Sequence, residues 1–232
     1  LFGSTGTDWA SYIAASGAVT VDLNGGLQFA FGADGNDTLS GIENVQGGNS
    51  NDFLMGDSLA NSLDGGLGAD TLVGNFGLDT LIGGLGNDSL SGGADTLDWA
   101  SYLNASAAVT VDLAAGTSNG ADGSDTLTGI EAVLGGSFDD SLLGDSAANA
   151  LNGGAGRDTL AGGLANDTLR GEAGNDSLFG GAESADWAGF AAAVTVDLGA
   201  GTASGDGFDT LAGIENVLAG SCLLYTSPSP RD

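Results

Sequence analysis

Ten glycines fall at nine-residue intervals in two runs of five, each followed seven places later by a leucine. The first run opens at Gly47, Gly56, Gly65, Gly74 and Gly83, with Leu54, Leu63, Leu72, Leu81 and Leu90 at position eight. The second opens at Gly135, Gly144, Gly153, Gly162 and Gly171, with Leu142, Leu151, Leu160, Leu169 and Leu178. Position six is Asp52, Asn61, Asp70, Asp79 and Asp88, then Asp140, Asn149, Asp158, Asp167 and Asp176. A strict period carrying a fixed carboxylate and a fixed apolar residue belongs to a repeat architecture, in which stacked units build one continuous core.

The local grammar reads as turns and short strands. Six residues of the GGxGxD kind make a turn, because glycine reaches backbone angles that other residues avoid. The next three, such as Thr71, Leu72 and Val73, make a strand whose central leucine points one way and whose neighbours point the other. No segment has a helical apolar period with caps, and frequent glycine opposes one. Two units then form one turn of a coil, with a strand on each side. Coils stacked every 18 residues give two parallel sheets facing each other across a thin leucine seam. The expected fold is all-β, a parallel β-roll, or β-solenoid.

A larger period encloses the small one. DWASY at 8–12 returns at 98–102 and, as DWAGF, at 186–190. AVTVDL follows at 18–23, 108–113 and 193–198, and then an acidic unit at 33–45, 121–133 and 205–217. The expected segments are a connector over 1–46, a nonapeptide block over 47–97, a connector over 98–134, a second block over 135–185 and a connector over 186–221. Residues 222–232 (CLLYTSPSPRD) break the grammar and hold the only cysteine and both prolines. They resemble the conceptual translation of a transposase-type sequencing adapter and are set aside as an artefact. Leu1 falls in mid-repeat, so the chain is expected to be a fragment.

The formal charge is −28, with three basic residues and no histidine. Such a surface repels nucleic acid and anionic membrane and draws metal cations. A glycine-rich acidic chain suggests disorder, but 41% apolar residues and regularly placed leucines oppose that reading, at least when a cation is present. No apolar run reaches the ~18 residues of a membrane span.

The units resemble the repeats-in-toxin (RTX) nonapeptide GGxGxDxUx, a calcium-binding β-roll repeat. The likeness covers nearly all of 1–221, including the connector units GADGNDTLS (32–40) and GADGSDTLT (120–128). It implies a right-handed roll in a secreted bacterial protein, Ca2+ bound in the turns, and the type I secretion machinery as a partner. The residues agree independently. Ca2+ takes six to eight hard oxygens, and a glycine-rich turn offers carbonyls beside its aspartate. Units n and n+2 share an edge, so the expected ion sites pair Asp52 with Asp70, Asp70 with Asp88, Asp140 with Asp158 and Asp158 with Asp176. The opposite edge pairs Asn61 with Asp79 and Asn149 with Asp167. Asp37, Asp125 and Asp209 are further candidates in the connectors. Because asparagine replaces aspartate at 61 and 149, that second edge is expected to bind more weakly.

Other features are read structurally. Trp9, Trp99 and Trp187 are expected to pack in the core rather than stack on sugars. Glu43, Glu131 and Glu215 are expected to face solvent. The Asn-Asp-Thr/Ser triplets lie inside the predicted ion turns and are read as chance glycosylation patterns. With no histidine, no native cysteine and no paired carboxylates outside the ladder, no catalytic constellation is present. The expected role is a calcium-binding segment that folds after export. The alternatives are the stalk of a surface adhesin and the accessory module of an exported enzyme.

Overall fold

The computed structural model describes residues 1–3, 5–25, 28–94, 97–182, 185–191, 193–205 and 207–219, and the backbone of 223–226. Among them the regular elements are all β-strands, and no helix is long and apolar enough to cross a membrane. The chain divides into two compact units, 1–104 with 116–132 and 105–115 with 133–232.

In the first unit, one sheet runs in parallel through Trp9–Ser11, Asn44–Gln46, Ser62–Leu67, Thr80–Leu85 and Trp99–Ser101. The other runs in parallel through Val19–Asp22, Phe53–Met55, Thr71–Asn75, Ser89–Gly93 and Thr126–Thr128. Partners lie 18 residues apart within the block: Leu54 opposite Leu72, Leu72 opposite Leu90, and Leu63 opposite Leu81. The second unit repeats the pattern, with Leu142 opposite Leu160, Leu160 opposite Leu178, and Leu151 opposite Leu169. Each of these leucines is at most 1% exposed, so every strand sends one apolar side chain into the seam, as two-residue alternation requires. This is a β-roll.

Phe53–Met55 and Ser141–Leu143 have the three residues expected, but the later strands of each block have five or six. Ser62–Leu67 and Thr80–Leu85 continue through the glycine pair of the next unit, with Gly66 opposite Gly84. Glycine backbone groups pair as readily as any others, and with no side chain they let successive coils approach. The connectors add antiparallel pairing to the roll. Val19–Asp22 pairs with Gln28–Gly32, which pairs with Gly35–Leu39, and Val194–Asp197, Thr202–Ser204 and Phe208–Ala212 repeat the arrangement.

The tryptophans do not enter the core. Trp9 and Trp187 are exposed, and Trp99 is half-buried. The following alanines, Ala10, Ala100 and Ala188, are fully buried instead. Ala100 pairs with Leu81, so alanine holds the inward place and the tryptophan before it must point outward.

Of the residues set aside as a tail, Leu223–Thr226 pair in parallel with Val194–Asp197. That slot matches Phe53–Met55 beside Val19–Asp22. Strand pairing uses only backbone groups, so an open sheet edge accepts an extended segment whatever its side chains. The rest of that tail lies outside the described residues.

Candidate metal centre

Two residues before each seam leucine, the position-six side chain folds inward at the end of the turn. All ten of these residues are buried, at 4% exposure or less. In six of them one oxygen accepts the backbone N–H of the position-six residue one coil earlier, while Asp52 and Asp140, which open the blocks, accept the N–H groups of Val19 and Val109. Asp52 N–H donates to Asp70 Oδ1 at 2.7 Å, and Asp70 N–H to Asp88 Oδ1 at 2.8 Å. Asp140 N–H donates to Asp158 at 2.8 Å, and Asp158 N–H to Asp176 at 2.9 Å. On the opposite edge Asn61 N–H donates to Asp79, and Asn149 N–H to Asp167, both at 2.8 Å. All six expected n/n+2 pairs are therefore stacked neighbours.

The ladders run on into the connectors. Asp88 N–H donates to Asp125 Oδ1, and Asp176 N–H to Asp209 Oδ1, both at 3.0 Å. Asp125 also accepts Ser118 Oγ and the Tyr102 hydroxyl. Asp37 is not drawn into a ladder: it is exposed and accepts the Tyr12 hydroxyl at 3.4 Å.

Five ladder residues were missed or misread in the sequence. Asp98 and Asp186 accept the N–H groups of Asp79 and Asp167, each at 2.9 Å, and both are fully buried. Glu43, Glu131 and Glu215 do not simply face solvent; their carboxylates accept the N–H groups of Asp8, Asp98 and Asp186. The signal was present as an acid two places before a buried small apolar residue: Asp98 before Ala100, and Glu43 before Val45. One extra residue in the turn, which puts Asp98 19 places after Asp79, hid it from a strict nine-residue count.

The second carboxylate oxygen separates the turns into two kinds. In turns 65–70, 74–79, 83–88, 153–158, 162–167 and 171–176, positions two and four both have positive φ. The φ values are +96° and +134° at Gly66 and Gly68, and +97° and +142° at Gly84 and Gly86. Non-glycine residues adopt this conformation at Asn75, Ala165 and Glu172. In these turns the Oδ2 atoms of Asp70, Asp88, Asp158, Asp167 and Asp176 are buried without a hydrogen-bond partner. In turns 47–52, 56–61, 135–140 and 144–149 no residue has positive φ. There the position-two N–H donates to the side chain of its own position six: Gly48 to Asp52 at 2.6 Å, Asp57 to Asn61 at 2.8 Å, Gly136 to Asp140 at 2.7 Å and Asp145 to Asn149 at 2.8 Å.

Buried carboxylates with one unengaged oxygen hold a proton more tightly than exposed ones. Burial, only partly offset by the N–H from the coil below, pushes Asp70 and Asp158 up to about 7, and neighbouring aspartates add to the rise. The same causes bring Asp88 and Asp167 to about 6, and burial also raises Asp140 and Asp176. A cation at the turns would reverse this, by favouring the charged form.

The donors fit a hard cation. A Cβ on Gly65 would land on Asp70 Oδ2 and 2.7 Å from the Gly83 carbonyl oxygen, so two oxygens from successive coils converge where only a glycine fits. Among the described residues no three acidic, histidine or cysteine side chains gather. The available donors are therefore single carboxylates and backbone carbonyls, the oxygen set that Ca2+ takes.

Comparison with known proteins agrees. The RTX calcium-binding nonapeptide repeat matches four times, over 38–72, 64–96, 128–160 and 152–184, together half of the chain. None of the curated proteins compared with it matches. Matched repeats, β-roll and buried aspartate ladder together make this a calcium-binding segment with Ca2+ as its cofactor, and the chain belongs to the RTX calcium-binding nonapeptide repeat family.

Proposed function

We propose that this chain is a calcium-triggered folding segment of an exported bacterial protein, carried out by a type I secretion system and non-catalytic in itself. One observation carries the reading: five buried Oδ2 atoms lie in a chain of charge −28 that has three basic residues. Folding brings these carboxylates into stacked neighbours, so the folded state needs protons or cations that the extended chain does not. Asp70, Asp88, Asp158, Asp167 and Asp176, with the turn carbonyls, would hold the ion, which supplies positive charge at the turns.

The magnitude suits a switch. A site with Kd of ~10–100 μM in ~1 mM calcium adds about 1.4–2.7 kcal/mol. A few such sites equal the net stability of a domain. At micromolar calcium inside a cell the chain stays extended and threadable, and outside it locks. Hydrogen exchange of the full chain tests this. The amides of Thr71–Asn75 and Thr159–Gly163 are expected to be protected in millimolar calcium and to exchange rapidly in chelator. Equal protection in both would contradict the reading.

A further inference from the structure

We propose that calcium is held only where turns with positive φ at positions two and four are stacked, and that turns 47–52, 56–61, 135–140 and 144–149 use hydrogen bonds in the ion's stead. The inference rests on the calcium-binding reading above and narrows it, removing Asp52, Asn61, Asp140 and Asn149 from the ion-facing set. It also divides the sites by coil rather than by edge. In each block the leading coil is closed on both edges, and the coils after it are open.

The two kinds of turn differ in where one N–H goes. In a closed turn the position-two N–H points at the position-six side chain of its own unit, with Gly48 reaching Asp52 Oδ2 at 2.6 Å. That bond occupies the oxygen an ion would use and places a positive N–H dipole on the spot. In an open turn, positive φ at position two swings the N–H away. The Gly66 N–H serves Asp64 instead, and Asp70 Oδ2 is left buried and unengaged. Asn61 shows that the closed arrangement needs no charge. Its amide oxygen accepts the Asp57 N–H, and its amide nitrogen donates to the Glu43 carbonyl at 2.8 Å.

Position four accompanies the division. The closed turns carry Ser50, Leu59, Phe138 and Ala147 there, while five of the six open turns carry glycine. Ala165 is the exception, held at φ +68°. In the leading coil of each block the position-six oxygens that an ion would use are thus engaged by the turn's own N–H groups, so that coil can form without metal and present a finished turn to the coil that follows.

Calorimetric titration of the full chain with calcium tests this through stoichiometry. Asp70→Asn with Asp158→Asn is expected to lose bound ions, and Asp52→Asn with Asp140→Asn to lose none. Ser50→Gly with Phe138→Gly converts turns 47–52 and 135–140 to GGNGND and GGSGDD, and is expected to add about one ion per block. Because this second pair gains rather than loses, a misfolded loss variant does not decide the matter. Wild-type chain that takes up no calcium would overturn the calcium reading itself. Wild-type binding with equal losses from both aspartate pairs, or no gain in the glycine variant, would overturn the division into closed and open turns while leaving calcium binding in place.

Discussion

The backbone N–H of Asp70 donates to the Oδ1 atom of Asp88, one coil further along, at 2.8 Å, and both residues are buried. Each aspartate is thus a structural acceptor for its neighbour as well as a candidate ligand. Asp88→Ala strips the Asp70 N–H of its acceptor in a place water does not reach. Loss of the ladder bond alone is expected to cost about 1–3 kcal/mol, measured by urea unfolding in saturating calcium. Asp37→Ala, at an exposed aspartate outside the ladder, is expected to stay within about 0.5 kcal/mol. Equal costs would show that the ladder bonds do not hold the coils together.

The raised carboxyls set a pH dependence for the metal-free chain. An acid whose folded pKa lies above its unfolded value binds more protons when folded, so stability falls as pH rises between the two. For Asp70 and Asp158 that window runs from 3.8 to about 7, and for Asp88 and Asp167 from 3.8 to about 6. In chelator, β structure followed by circular dichroism is expected to strengthen on acidification from pH 7.5 to 5. Weakening over that range would mean that these carboxylates are not buried in the metal-free fold.

Seam leucines and turn leucines are chemically alike but differently placed. Leu72 is fully buried between Leu54 and Leu90, whereas Leu78 in turn 74–79 is 57% exposed. Leu72→Ala is expected to cost about 2–5 kcal/mol, and Leu78→Ala to remain within about 0.5 kcal/mol. Thermal unfolding in millimolar calcium measures both, and similar costs would contradict the leucine seam.

Ala165 adopts φ +68°, where a side chain carries strain. Ala165→Gly relieves it and is expected to stabilise the calcium-bound chain by about 1 kcal/mol. Gly86→Ala is the converse case: at φ +142° its Cβ would strike the Gly68 carbonyl oxygen, so a clear loss is expected. A lower melting temperature for Ala165→Gly would contradict this view of the open turns.

Much of this was legible in the sequence because a strict period specifies its own contacts. The 18-residue offset follows from two units per coil, and from it alone Asp52 falls beside Asp70, as Leu54 does opposite Leu72. What the period could not give lay where it slips or where the backbone decides. Asp98 was hidden by one added turn residue. The outward Trp99 was masked by the small inward Ala100 after it. Turns 56–61 and 144–149 lack the glycines of positions two and four, but turns 47–52 and 135–140 keep the glycine pair, and φ at Gly48 and at Gly66 differs although both residues are glycine, a difference marked by the bond from Gly48 to Asp52.

Circular dichroism of the full chain at neutral pH, in chelator, in millimolar magnesium and in millimolar calcium, tests the central claim most directly. The account predicts a disordered spectrum in chelator, little change with magnesium, which prefers a smaller octahedral site, and a full β spectrum with calcium. A full β spectrum in chelator at that pH would contradict it.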